Sequence, residues 1–325
     1  MNKKPFQLPD YDLAPVLIAT HTRIDHLAQT IEALKKNLWA EGTDLFISSD
    51  AASCDDEKQK VKEIRRYIKR ISGFKSLNLI IRDENFGHFD NFQKATDLVF
   101  TRYEKIIKLE DDIVTGCYFL KFMNDALNLY VDDKNVVSIS GYLWRDIAFD
   151  GISDSVLLPI HSGWGWGTWR DRFYSVDHSS HLAKEFMNSS YLFWKMVRIN
   201  PSLLGNVYSS SNETLKAGDI NWALHILKYE KCVLFPTKSL ARNIGFDGTG
   251  QNCGYIPEML DQTINDSAIH LQKLNSNYFN SNNKIIYNYF GGNNHLIKQL
   301  ILYVIQRFFG KNFLKTLLKI KNYFI

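Results

Sequence analysis

The stretch KIIKLEDDIV carries three consecutive carboxylates, Glu110, Asp111 and Asp112, directly after a short apolar run. Such a run reads as a buried strand, which puts the acids where the chain leaves the core. Adjacent carboxylates repel one another, and burying them is costly unless a cation compensates. A hard divalent ion suits the task, because Mg²⁺ or Mn²⁺ takes one or two protein carboxylates and completes its shell with water or phosphate oxygens. The plainer alternative is an exposed acidic turn, or negative charge at the start of the following helix.

Something must position these acids. The first half of the chain alternates between the two periodicities. Residues 16–20, VLIAT, read as a strand, and Leu27, Ile31, Leu34 and Leu38 then recur at helical spacing. Further strands are expected at 45–48, 77–81, 106–109 and 136–140. Between them, helices are expected at 55–70 and 89–100 and around Phe119, Met123, Leu127 and Tyr130. Alternation of this kind forces parallel pairing, since each helix carries the chain back across the sheet. Ligands of such sheets sit at the carboxyl ends of the strands. The residues just past each strand are therefore candidates: Thr20 to Arg23, Ser49 and Asp50, Arg82 to His88, and Glu110 to Asp112.

The second half is less regular. The segment HSGWGWGTWRDRF alternates Gly163, Gly165 and Gly167 with Trp164, Trp166 and Trp169. Glycines permit tight turns and close backbone approach, and indole faces suit the C–H surfaces of sugars. A packed aromatic hinge is the alternative. A helix is expected at 219–229 and a strand with a loop from 232 to 253. An Asn-rich linker is expected before the C-terminal segment.

Bulk properties narrow the class. With 325 residues, 45% of them hydrophobic, the chain can fill a sizeable core. A net charge of +4 argues against a dedicated nucleic-acid binder. Cys54, Cys117, Cys232 and Cys253 form no metal-binding spacing and read as reduced cytosolic thiols. The N-terminus has two lysines but no apolar region of signal-peptide type after them.

The ordered set VLIATHTR, FISSD, ENFGH and KLEDDI resembles the GT-A glycosyltransferases. It is most similar to the N-acetylglucosaminyltransferase I-like branch and to bacterial glycosyltransferases that build surface polysaccharide. The resemblance runs over about residues 15–250. It implies an α/β fold of GT-A (Rossmann-like) type, with a mostly parallel central sheet flanked by helices. It also implies an inverting, metal-dependent transfer from a nucleotide diphosphate sugar, expected to be a UDP-sugar. By position, Asp112 is implied as ligand of Mn²⁺ or Mg²⁺, Asp111 on the ribose and Glu110 on the donor sugar. Arg23 falls near the diphosphate, Asp50 on the uracil ring and His88 beside them, and Thr20 closes the donor set. A general base is expected at Asp219, with Trp222 in the same Asp-x-x-Trp context. Trp164 and Trp166 are expected as acceptor or sugar contacts. In the loop ARNIGFDGTGQNCG, Gln251 and Asn252 stand where similar bacterial chains often carry a histidine, so Asp247 and Asn252 receive no role.

The expected organisation is a catalytic domain over 1–260, made of a nucleotide-sugar half at 1–150 and an acceptor half at 151–260. A linker at 261–294 and a basic amphipathic tail at 295–325 follow. In the tail, Ile297, Ile301, Ile305 and Phe308 fall at helical spacing, and Lys298, Arg307, Lys311, Lys315, Lys319 and Lys321 meet no Asp or Glu. Such a helix reads as an interfacial membrane anchor; docking on the enzyme itself is the alternative. The expected partners are a nucleotide sugar, a carbohydrate or lipid-linked glycan acceptor and the membrane surface, with no nucleic acid. The expected location is cytoplasmic, peripheral at the inner face of a bacterial membrane, in surface polysaccharide or lipopolysaccharide synthesis. Two other readings remain: a non-catalytic carbohydrate-binding scaffold and a sugar nucleotidyltransferase. The latter would want a Gly-rich loop after the first strand, where ATHTRIDH has no glycine.

Overall fold

The computed structural model describes residues 8–147, 149, 153–216, 218–250, 254–276, 282–290, 292, 296–305 and 307–308. Gln251, Asn252, Cys253 and most of the tail, 309–325, lie outside the described residues. The chain divides into two compact units, residues 1–175 with 232–277, and residues 176–231 with 278–325.

The first unit is built on strands β1 (Val16–Thr20), β2 (Asp44–Ser49), β3 (Ser76–Ile81), β4 (Lys105–Glu110), β5 (Ile113–Thr115), β6 (Val136–Ser140), β7 (Ser155–Leu158), β8 (Trp166–Trp169), β9 (Cys232–Pro236) and β10 (Ala241–Asn243). Eight of them form one sheet in the order β3-β2-β1-β4-β8-β6-β9-β7. The pairs β3–β2, β2–β1, β1–β4 and β6–β9 are parallel, and only β8 and the edge strand β7 run the other way. This is the mostly parallel α/β sheet expected from the alternating pattern. Every residue of β1 is buried, as a central strand covered on both faces requires.

Helices α1 (Ile24–Lys35), α2 (Lys58–Ile68), α3 (Gly87–Phe100) and α4 (Phe119–Leu129) follow the strands in turn. Each buries a stripe at helical spacing: Leu27, Ile31 and Leu34 in α1, and Val61, Ile64 and Ile68 in α2. Leu38, expected to extend the first stripe, lies past the end of α1, and Trp39 takes a left-handed φ of 76°. The short α5 (Arg170–Ser175) follows β8.

The strand order places the carboxyl ends of four strands side by side. Thr20 pairs with Ser49, Ser49 with Ile81, and Ala19 with Glu110. The chain steps from β1 outward to β2 and β3 and then returns to the other side of β1 as β4. Such a reversal opens a crevice between the central strands, the usual ligand position in open α/β sheets.

The Gly/Trp cluster departs from expectation. It forms β8, wedged between β4 and β6, with Trp166 and Trp169 only 5% and 4% exposed. A β-carbon on Gly167 would meet the Ile106 carbonyl at 2.9 Å, so this glycine allows close strand approach. Beyond β10, Gln262 is 5% exposed and the Asn265 amide bonds the Ser239 carbonyl at 2.7 Å. Residues 262–276 therefore pack with the first unit, whose sheet takes in β9 as well.

The second unit holds helices α6 (His181–Asn188), α7 (Ser190–Ile199), α8 (Leu204–Ser211) and α9 (Gly218–Tyr229). The four-residue α10 (Pro257–Leu260) belongs to the first unit, and α11 (Asn283–Tyr289) and the helical residues 296–305 belong to the second. Leu182, Phe186, Met196, Val207, Leu224 and Leu227 form buried faces. Ser189 caps α7 by accepting the Leu192 amide, a contact worth ~1 kcal/mol.

Candidate active site

The three acids stand at the end of β4, and their surroundings separate them. Asp111 and Asp112 are 5% and 3% exposed, whereas the Glu110 side chain keeps 27% of its surface. Arg23, at the start of α1, reaches both buried acids: its Nη2 donates to Asp111 Oδ1 at 2.5 Å and to Asp112 Oδ2 at 2.8 Å. Thr20 donates from Oγ1 to Asp111 Oδ2 at 3.0 Å, and Thr30 bonds the Asp111 carbonyl at 2.8 Å. The end of β1 and the first turns of α1 thus hold the end of β4 in place.

One oxygen is left over. Among the described residues Asp112 Oδ1 is buried with no hydrogen-bond partner, and Arg23 Nη1 likewise. Buried polar atoms are normally satisfied, so an orphan carboxylate oxygen marks a place for a missing partner. The opposite wall comes from the small β5–β10 ribbon, in which Asn243 pairs with Ile113. It carries the Ile244 amide onto the Asp112 carbonyl at 2.9 Å. It also brings Gly245 so near that a β-carbon there would stand 2.1 Å from Asp112 Oδ2. The Gly245 amide bonds Asn243 Oδ1 at 2.7 Å, which fixes the turn.

The electrostatics follow from burial. Burial pushes the Asp112 carboxyl up to about 7, helped by Glu110 and opposed by Arg23. Asp111 is also raised, mainly by burial, against Arg23 and Thr20. For Glu110, burial acts upward too, but His88, Arg23 and Lys108 together outweigh it and hold the group down. His88 Nε2 lies 3.6 Å from Glu110 Oε1. A second positive charge is therefore welcome beside Asp112, whose carboxylate Arg23 stabilises only in part.

These residues fit a hard divalent cation with a small protein share. Asp112 offers one free buried oxygen. Among the described residues no group of three or more His, Cys, Asp and Glu could hold a metal alone. The remaining positions fall to water and phosphate oxygens, the usual state of Mg²⁺ at a phosphate substrate.

Past β2, Asp50 is 3% exposed, and its Oδ1 accepts the Ala51 amide at 3.0 Å and the Phe86 amide at 3.1 Å. It ties the end of β2 to the start of α3. Asn85 and His21 converge on the Ala51 carbonyl at 2.6 and 3.0 Å. The structure thus brings Thr20, Arg23, Asp50, His88, Glu110, Asp111 and Asp112 to one edge of the sheet in the first unit.

The aromatic expectations fare differently. Trp164 is partly buried, edge-on to Tyr142 at 4.8 Å and to Phe246 at 5.3 Å. Trp166 packs on His161 at 4.8 Å inside the sheet, and Trp222 is 2% exposed within α9. Trp166 and Trp222 are thus both packed in the interior. Asp219 is exposed, in the first turn of an otherwise largely buried α9.

Sequence reasoning passed over Asn243, Gly245 and His26. His26 lies three residues after Arg23 on α1, and its Nε2 pairs with Asp247 Oδ2 at 3.0 Å. The Ile256 amide bonds the Phe246 carbonyl at 2.9 Å, which draws the two arms of this loop together. Spacing on α1 could have suggested His26; nothing in the sequence announces the β5–β10 ribbon. A pocket of about 500 Å³ lies elsewhere, beside Asp132, Asp133 and Lys273. That is the amino end of β6, the edge away from the carboxylates.

No protein-family model matches the chain, and no curated protein matches its sequence. Among solved structures, the chain is similar to the mannosyltransferase PcManGT from Pyrobaculum calidifontis in complex with GDP-Man and Mn²⁺. Identity is 14%, the match covers 70% of this chain and 73% of that one, and the TM-score is 0.40. Two structures of S. aureus TarS match at 14% and 11% identity and a TM-score of 0.37, over 70% of this chain. The chain spans only 36% of one TarS chain and 59% of the other. Likeness at this level carries no argument about activity, and the fold stands on its own strand order.

Proposed function

We propose that this chain is an inverting glycosyltransferase that uses a nucleotide diphosphate sugar, in our reading a UDP-sugar, with Mn²⁺ or Mg²⁺. The observation that carries the reading is the orphan oxygen of Asp112, walled by Gly245 and set beside Arg23 at the switch point of the sheet. One anionic oxygen and a cationic guanidinium side by side are what a metal-bound diphosphate requires: the first for the ion, the second for the phosphate charge. When bound, the divalent ion would offset the negative charge that grows on the departing diphosphate.

The chain's own residues supply the rest. Arg23, with Nη1 unpaired, reaches phosphate oxygens while Nη2 keeps Asp111 and Asp112 in place. Asp111, held by Thr20 and Arg23, accepts hydrogen bonds from the ribose hydroxyls in this reading. Asp50, pinned at the end of β2, takes the base in this reading. Glu110, held anionic beside His88, accepts hydrogen bonds from donor-sugar hydroxyls. Asp219 takes the proton of the acceptor hydroxyl, whose oxygen attacks the anomeric carbon; the bond from that carbon to the diphosphate breaks, and nucleoside diphosphate leaves. The acceptor in this reading is a carbohydrate of bacterial surface polysaccharide or lipopolysaccharide, carried on a lipid at the inner face of the membrane. Exposure of Asp219 at a helix start suits a base that must meet an incoming hydroxyl.

The test is a panel of nucleotide sugars incubated with the chain and Mn²⁺, scored by release of nucleoside diphosphate. The native chain should consume at least one donor, and Asp219→Asn should bind that donor while turning it over at least ~100-fold more slowly. Native-like turnover by Asp219→Asn would remove the base assignment. Metal-independent sugar binding with no donor consumed would point to a carbohydrate-binding scaffold.

A further inference from the structure

We propose that the outer face of the helical segment beginning at residue 296 is a docking surface for an anionic phospholipid bilayer. Residues 296–305 and 307–308 are helical. One side of this segment is held within the second unit: Tyr303 lies edge-on to Tyr208 at 5.2 Å and 6.3 Å from Phe193. Arg307 Nη1 donates to the Tyr303 hydroxyl at 2.7 Å. The segment is therefore anchored by an inner face, and its outer face is fixed in orientation.

That outer face is apolar. Ile297, Ile301, Val304 and Phe308 are 59%, 54%, 48% and 74% exposed, and steps of four, three and four residues align them in one stripe. Contiguous exposed apolar surface marks an interaction site. The stripe differs from the one read in sequence. Ile305 is partly covered and Val304 takes the outward place, because docking through Tyr303 sets the rotation of the helix.

Charge selects the occupant. From Tyr278 to Ile325 the sequence has seven Lys or Arg and no Asp or Glu, and Lys298 and Arg307 flank the stripe. A second copy docked face to face would set this positive charge against itself. An anionic bilayer surface instead attracts it while taking the four apolar side chains into the acyl boundary. Among the described residues no helix is long and apolar enough to cross a membrane, so the segment would lie in the interface.

The experiment is co-sedimentation of the full chain with vesicles of phosphatidylcholine alone or mixed with phosphatidylglycerol. It needs neither nucleotide nor sugar, so its outcome is separate from that of the sugar-transfer reading. The native chain should pellet with the mixed vesicles and not with phosphatidylcholine alone. Ile301→Ser with Phe308→Ser should weaken that binding by at least about tenfold, with thermal unfolding unchanged as the check on folding. Lys298→Glu with Arg307→Glu should weaken it too, most at low salt. Equal binding to both vesicle types, or native binding by the Ser pair, overturns the proposal. So does light scattering that shows the native chain as a dimer and the Ser pair as a monomer.

Discussion

Replacing Gly245 with alanine adds one methyl group at the place where the structure has least room. The new β-carbon would stand 2.1 Å from Asp112 Oδ2 and 3.0 Å from Asn243 Oδ1, whereas ordinary contact begins near 3.4 Å. Neither side yields easily. The loop is tied by the Ile244 amide to the Asp112 carbonyl at 2.9 Å, and the carboxylate is tied to Arg23 at 2.8 Å. A retreat of about 1.3 Å by the carboxylate would break the Arg23 contact, and overpacking of this kind costs ~1–3 kcal/mol. The effect on ligand should be larger in proportion, since ~1 Å of misplacement in a site costs on the order of 100-fold. Urea unfolding measures the first quantity, and titration of nucleoside diphosphate with Mn²⁺ the second. Gly254→Ala is the matched control, because among the described residues nothing lies within 4 Å of its β-carbon position; its stability should stay within about 0.5 kcal/mol. Native stability and native affinity in Gly245→Ala would refute the confinement of Asp112.

Three further outcomes follow from the charges. Arg23→Ala leaves Asp111 and Asp112 buried without their guanidinium and should cost about 3 kcal/mol in urea unfolding, with added Mn²⁺ recovering part of the loss. Asp112→Asn should stabilise the protein: the folded carboxyl is raised to about 7 from near 4, so the native state binds the extra proton in that window and loses stability as pH rises through it. The gain of the variant over the native chain should grow from pH 4 to 7 and then level off at no more than about 4 kcal/mol. His161 behaves in the opposite sense. Burial, then Lys108, pushes its folded value down to about 3, so the unfolded chain binds the proton first and stability is lost as pH falls from about 6.5 towards 3. His161→Phe should flatten that acid limb in unfolding midpoints followed by circular dichroism.

Much of the first unit was legible in sequence because its strands are short apolar runs separated by amphipathic helices. VLIAT reads as a buried strand, and the stripe at Leu27, Ile31 and Leu34 as the helix face that covers it. The acids after β4 were legible for the same reason: an apolar strand must end at its charges. The environment that makes Asp112 unusual was not legible, because it depends on Gly245, more than a hundred residues away in sequence. The ribbon that carries Gly245 has only three residues in each strand, too few for a periodic signal. The strand formed by the Gly/Trp segment was not legible, because glycine beside tryptophan serves close strand packing as well as it serves a ligand loop. In β8 the indoles fill the sheet face, and Gly167 lets β4 approach. The burial of Trp222 was hidden for a related cause, since its helix is buried nearly all round. The helix beginning at 296 showed its apolar spacing in sequence, but rotation by one residue, from Ile305 to Val304, was set by tertiary packing.

The most direct test of the metal-assisted nucleotide site is isothermal calorimetry of UDP and GDP, with and without Mn²⁺, on the native chain and Asp112→Asn. The account predicts heat that needs the metal in the native chain and at least ~10-fold weaker binding in the variant. Nucleotide binding that ignores both the metal and the substitution, or no binding of either nucleotide, would contradict it.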